Sequence, residues 1–95
     1  MSKIHLFVSV DIRPGKYDEF LQKLTTHVET IRREEGCLEI NIFTEGENRD
    51  QLHLWEVWSS QESWSAHMEN ENSAQWRITS QDLVVGETIK VLHSA

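Results

Sequence analysis

Apolar and polar residues alternate cleanly from residue 4 to residue 12. Ile4, Leu6, Val8, Val10 and Ile12 fall on one face, and His5, Phe7, Ser9 and Asp11 on the other. A period of two is that of a strand with one face against a core. Arg13-Pro14-Gly15 ends it, because proline and glycine break regular structure. From Lys16 the period lengthens, and Tyr17, Phe20, Leu21, Leu24, Val28 and Ile31 form one helical stripe. Asp18 and Glu19 suit the positive end of a helix dipole and Arg32-Arg33 the negative end. Gly36 suits a C-terminal cap, so the spacing predicts a helix over 16–35.

Alternation returns over 38–45, with Leu38, Ile40 and Ile42 opposite Glu39, Asn41 and Phe43. Residues 46–50 read as a polar turn and 51–58 as a third strand, so strands two and three form a hairpin. Ser59-Ser60-Gln61-Glu62 fits a capping box, with Ser59 as N-cap and Glu62 reaching back. The short helix it opens carries Trp64, His67 and Met68 on one side. Asn70 and Asn72 interrupt it, and Asn72 is placed to cap a further helix over 73–81 with Gln75 as its reciprocal partner. Residues 87–93 read as a last strand, with Ile89, Val91 and His93 on one face. The order β-α-β-β-α-β is that of a ferredoxin-like α+β subunit, an antiparallel sheet with its helices on one face. The other face carries Phe7, Phe43 and Trp55 uncovered. A second copy of the chain, sheet against sheet, is the economical cover.

Composition narrows the function classes. A chain of 95 residues is expected to form a single domain over 1–95. So small a domain buries roughly two-thirds of its unfolded surface, so a ligand cavity weighs heavily on its core and a partner subunit offsets that. Sixteen acids against nine bases, net −7, argue against nucleic acid, which needs clustered Lys and Arg. The single cysteine, Cys37, excludes an internal disulfide. No apolar run reads as a signal sequence or a membrane span, so the expected location is cytoplasmic, with no membrane partner.

Candidate chemistry concentrates in Leu54 to Met68. His67 is the leading candidate base, since an imidazole can take a phenolic or enolic proton at neutral pH. Glu56 shares parity with Leu52, Leu54 and Trp58. If that face meets the helices, its carboxyl sits among apolar groups, with a raised pKa or with His67 as its base. The structural alternative is a carboxylate satisfied by backbone N–H groups or by Arg77. Trp55, Trp64 and Trp76 can wall a planar substrate, as can Trp58, although core or dimer packing claims at least two of the four. Asn41 and Asn72 can hydrogen-bond a substrate carbonyl or oxyanion. Cys37 follows a helix C-terminus, where the dipole raises a thiol pKa and disfavours a nucleophile. The five histidines show no ligand spacing, and no glycine-rich phosphate loop exists, so neither a metal nor a cofactor is implied.

Several pieces carry a family likeness together. They are Arg13-Pro14-Gly15, Glu34-Glu35-Gly36-Cys37-Leu38 at the helix-to-strand junction, and Glu56-Val57-Trp58 followed by Trp64 and Ala66-His67. In this order, over essentially the whole chain, they resemble the antibiotic biosynthesis monooxygenase domain of the dimeric α+β barrel superfamily. The resemblance implies a homodimer whose sheets pack into a barrel, with a pocket between sheet and helices in each subunit. Some members oxidise quinols or anthrone-like phenols with O₂ and no cofactor. Others isomerise a phosphorylated signal sugar, related members degrade haem, and many have no known activity. Members often carry a second histidine five residues after the one matching His67. Here that residue is Asn72, which puts any two-imidazole mechanism in question. Haem-degrading relatives use an Asn on the first strand, and residues 4–12 contain none, so haem breakdown is disfavoured.

The function expected on this resemblance is cofactor-independent oxidation of a small phenolic or quinol substrate, with His67 as base. The alternatives are an isomerase acting alpha to a carbonyl, or a non-catalytic ligand-binding or stress protein. The enzymatic reading calls for an open cavity above about 300 Å³ lined by His67 and tryptophans. A phosphorylated substrate calls for Arg or Lys at its mouth.

Overall fold

The computed structural model describes residues 2–95. Its elements are β1 (Ile4–Ile12), α1 (Tyr17–Ile31), β2 (Cys37–Phe43), β3 (Gln51–Trp58), α2 (Gln61–Glu69), α3 (Glu71–Ser80) and β4 (Val84–Leu92). The four strands form one antiparallel sheet in the order β2-β3-β1-β4. This is the expected ferredoxin-like α+β fold, with the second helical segment divided in two.

Directly opposed residues of antiparallel strands share a face. Leu6 lies opposite Glu56, Val8 opposite Leu54, Val10 opposite Leu52, and Ile40 opposite Glu56. That face receives Phe20, Leu24, Val28 and Ile31 of α1, and Trp76 of α3 packs against the same core. His67 of α2 stacks on Trp58 there. The opposite face pairs Phe7 with Trp55, Asn41 with Trp55, and Phe43 with His53. Phe43 stays 50% exposed on it. A polar chain crosses this face. His53 lies stacked on Phe7, with Nδ1 2.9 Å from Ser9 Oγ and Nε2 2.6 Å from Glu45.

Three boundaries differ from the sequence expectation, each for a local reason. The first helix ends at Ile31, four residues short of 35. Arg33 N–H then bonds Thr30 C=O and Glu34 N–H bonds Ile31 C=O, the tighter i→i−3 pattern of a closing turn. Arg32-Arg33 therefore follow the helix rather than forming its last turn. Ser60, not Ser59, caps α2 and accepts from Ser63 N–H, because Ser59 N–H is still engaged with Gly36 C=O. Asn70, not Asn72, caps α3 and accepts from Ser73 N–H at 2.8 Å. In addition, β4 begins at Val84, pairing with Ile12 across a register shift. Among the described residues no helix is long and apolar enough to cross a membrane.

Candidate active site

The turn after α1 delivers the first functional group. Gly36 adopts φ +86°, and a Cβ added there would lie 2.2 Å from Ser63 Oγ. Only glycine tolerates both the left-handed backbone and so close an approach to α2. Gly36 C=O also accepts from Ser59 N–H at 2.8 Å. Latched in this way, the turn places Glu34 against the end of α2 and the start of α3.

Glu34 Oε1 accepts from His67 Nδ1 at 2.7 Å and from Asn70 Nδ2 at 3.0 Å, and Oε2 accepts from Asn72 Nδ2 at 3.3 Å. A carboxylate acceptor fixes the tautomer, since Nδ1 then carries the proton and Nε2 keeps its lone pair. Among the described residues Nε2 has no hydrogen-bond partner, it is not sealed from solvent, and His67 lines a cavity between sheet and helices. Asn70 does two jobs. Its carbonyl caps α3 while its amide clamps Glu34.

Glu56 supplies the second group. Its carboxyl is buried, and Oε1 accepts from the indole N–H of the fully buried Trp58 at 2.9 Å. Burial pushes its pKa up, and the charges of Glu87 and Glu34 push the same way. The Trp58 hydrogen bond and His67 oppose them. The face of β3 that bears Glu56 is thus the helix-covered one. The structural alternative through Arg77 is not realised, because Arg77 donates to Met68 C=O instead. The His67 ring lies over Trp58, centroids 4.7 Å apart, so one indole is hydrogen-bonded to the acid and stacked on the base.

The cavity measures about 140 Å³, less than half the volume expected from the sequence for an enzyme, and is lined by Glu56, His67, Trp64 and Trp76 beside apolar Leu6 and Val8. Of the residues singled out from sequence, His67, Glu56, Trp64 and Trp76 are brought together here. Trp55 and Asn41 are not. They pair with each other on the opposite sheet face, where Asn41 bonds Arg32 and Glu39. Asn72 sits outside this cavity. It clamps Glu34 and lines the neighbouring groove between α1 and α3. Glu34 is the site residue that sequence reasoning missed as a partner for the imidazole. Its only signal was its place in the Glu34-Glu35-Gly36 junction. The Cys37 thiol is pushed up to about 11, chiefly by burial and then by the nearby Glu56 and Glu34 charges. It is a poor nucleophile, as expected, although burial rather than the helix dipole is the main cause. No group of three or more His, Cys, Asp or Glu among the described residues is placed to share a metal ion.

Known proteins bear on this arrangement. A Pseudomonas aeruginosa structure superposes with a TM-score of 0.91 at 18% identity, covering 100% of this chain and 96% of its own. One from Methanosarcina mazei gives 0.89 at 21% identity, covering 100% and 95%. A Nitrosomonas europaea protein, provisionally named an antibiotic biosynthesis monooxygenase, gives 0.89 at 18% identity, covering 98% and 90%. At these identities the likeness shows the fold. No protein of curated function matches the sequence. Residues 3–77 match the family antibiotic biosynthesis monooxygenase, and the chain belongs to that family.

Proposed function

We propose that this protein is a cofactor-independent monooxygenase that oxidises a single-ring phenol or quinol with O₂, working as a cytoplasmic homodimer joined through its uncovered sheet face. The observation that carries the reading is His67, held by Glu34 through Nδ1 and lining the cavity between sheet and helices beside Glu56 and two tryptophans.

Nε2 takes the phenolic proton, and Glu34 stabilises the imidazolium that forms. The phenolate then gives one electron to O₂. The apolar walls keep the resulting radical pair together until a carbon–oxygen bond closes. The hydroperoxide breaks at its O–O bond. One oxygen stays on the ring, and the other leaves as water, with Glu56 placed to supply a proton. For hydroquinone the balance is one O₂ consumed, one hydroxyquinone and one water formed.

Cavity size limits the substrate. About 140 Å³ is well below the roughly 300 Å³ of a pocket for a drug-sized molecule. It is close to the ~150 Å³ apolar cavity known to hold benzene. One ring fits, and a polycyclic anthrone does not. The lining holds one cationic side chain, Arg77, against two carboxyls, Glu56 and Glu87, which disfavours the phosphorylated substrate of the isomerase reading.

O₂ uptake with hydroquinone tests the proposal in wild type and His67→Ala. A loss of at least a hundredfold is expected, since general-base catalysis contributes about 10²–10⁴-fold. Equal rates would remove His67 from its role. Sedimentation tests the homodimer, and a stable monomer would remove it.

A further inference from the structure

Three hollows meet at one side chain. Trp76 lines the Glu56–His67 cavity and an adjoining cleft of about 390 Å³ that shares Leu24, Leu54 and Arg77 with it. It also lines a polar groove of about 550 Å³ between α1 and α3. His27 lines both the cavity and the groove. The indole lies parallel to the His27 ring, centroids 4.3 Å apart and planes 8° apart, and is tilted against Phe20 at 5.9 Å. Burial and then the neighbouring His67 bring the His27 pKa down to about 4, against the opposing pull of Glu34. The ring in the stack is therefore a neutral imidazole at neutral pH, and nothing ionic holds it apart from the indole.

We propose that the Trp76–His27 stack is the wall that limits the substrate to one ring, so that removing the indole joins the Glu56–His67 cavity to its neighbours and admits two-ring phenols. The inference rests on reading that cavity as the substrate site. A tryptophan that only fills the core predicts something different. Its loss lowers stability and leaves ligand preference unchanged. A wall predicts that preference changes, because the space beyond it already exists on two sides.

Binding calorimetry with phenol and 1-naphthol tests this without turnover. 1-Naphthol is the more apolar ligand, so a preference for phenol reports exclusion rather than hydrophobicity. Wild type is expected to bind phenol at least tenfold tighter, and Trp76→Ala to reverse the order. His27→Ala leaves the indole free to turn and is expected to shift the ratio part of the way. Trp76→Leu keeps apolar packing and supplies the same readout if the alanine variant does not fold. Wild type that takes both ligands equally, or folded variants with an unchanged ratio, would overturn the wall. O₂ uptake with hydroquinone separates the two proposals. A shifted ratio without uptake overturns the oxygenase reading alone, and uptake with an unchanged ratio overturns the wall alone.

Discussion

Replacing Glu34 by alanine leaves three donors without their acceptor, His67 Nδ1, Asn70 Nδ2 and Asn72 Nδ2. A hydrogen bond to a charged group is worth about 1.5–3 kcal/mol. The three do not add in full. Two share one oxygen, the third is long at 3.3 Å, and the Glu34 side chain keeps 16% exposure, so water replaces part of the loss. A destabilisation of about 3 kcal/mol follows. In a chain of this size each kcal/mol lowers Tm by about 4–8 °C, so Glu34→Ala should melt roughly 12–24 °C below wild type. Glu34→Gln keeps an acceptor for Nδ1 but loses the charge and sets an amide donor against the weak 3.3 Å Asn72 contact, which should cost about 1–2 kcal/mol. Thermal unfolding by circular dichroism gives the magnitudes, and Asn70→Ala in both backgrounds should show a coupling of about 1 kcal/mol. Nitrogen-15 spectra of the His67 ring supply an independent readout, with Nδ1 protonated in wild type and the tautomers mixed in Glu34→Ala. An alanine variant melting within a few degrees of wild type, with the tautomer unchanged, would refute the claim that Glu34 holds the ring.

Two further perturbations probe the site's supports. Gly36→Ala should cost about 3 kcal/mol or more in urea unfolding. It adds a positive-φ penalty of about 1–2 kcal/mol to a Cβ jammed 2.2 Å from Ser63 Oγ. Gly15→Ala, at φ +80° with open space around it, should cost only the backbone part, and equal losses at the two glycines would sink the argument from close approach. At Glu56 the folded-state pKa is raised, so the folded protein holds that proton more tightly than the unfolded chain. The stabilisation is complete below the ordinary carboxylate range near 4.5 and is lost as pH rises through the folded value. Wild type should therefore lose Tm relative to Glu56→Gln on going up from acid pH, and the gap should then level off. A gap independent of pH would contradict the burial of an ionisable carboxyl.

The parts of the fold with strong periodicity were legible. The alternation of β1 and the stripe of α1 each have one buried face, and each emerged as expected. Strand β3 was legible in extent but not in facing, because His53 and Val57 on its open side are as covered as Leu54 on its core side. Only pairing with β1 decides that Glu56 joins Leu6 and Ile40 while Trp55 joins Phe7 and Asn41. Chain ends and caps were less legible, since several residues competed for each role. Arg32-Arg33 fit a helix terminus by charge, yet the turn closes ahead of them. Asn70 and Asn72 are both competent caps, and local sequence does not rank them. Position does. Asn70 reaches Ser73 N–H and Glu34 at once, which frees the Asn72 amide for the second Glu34 oxygen. The Glu34–His67 contact spans 33 residues, and no local pattern encodes a contact of that range.

Glu56 is where local stability and chemistry part. It stands in a row with Leu52, Leu54 and Trp58, opposite Leu6 and Ile40, and every neighbour in that row is apolar. A leucine or methionine there would fill a similar volume with no carboxyl to desolvate. The acid instead has one indole N–H and a pKa pushed upward, in a small domain with little stability to spare. On the oxygenase proposal, the carboxyl adds an acid with a raised pKa at the wall of the cavity that His67 also lines. The charge on His67 favours ionised Glu56, so protonating the base eases release of the proton from the acid. In the proposed reaction such a pair would accept at one point of a bound ring and donate at another, which is what breaking an O–O bond with loss of water requires.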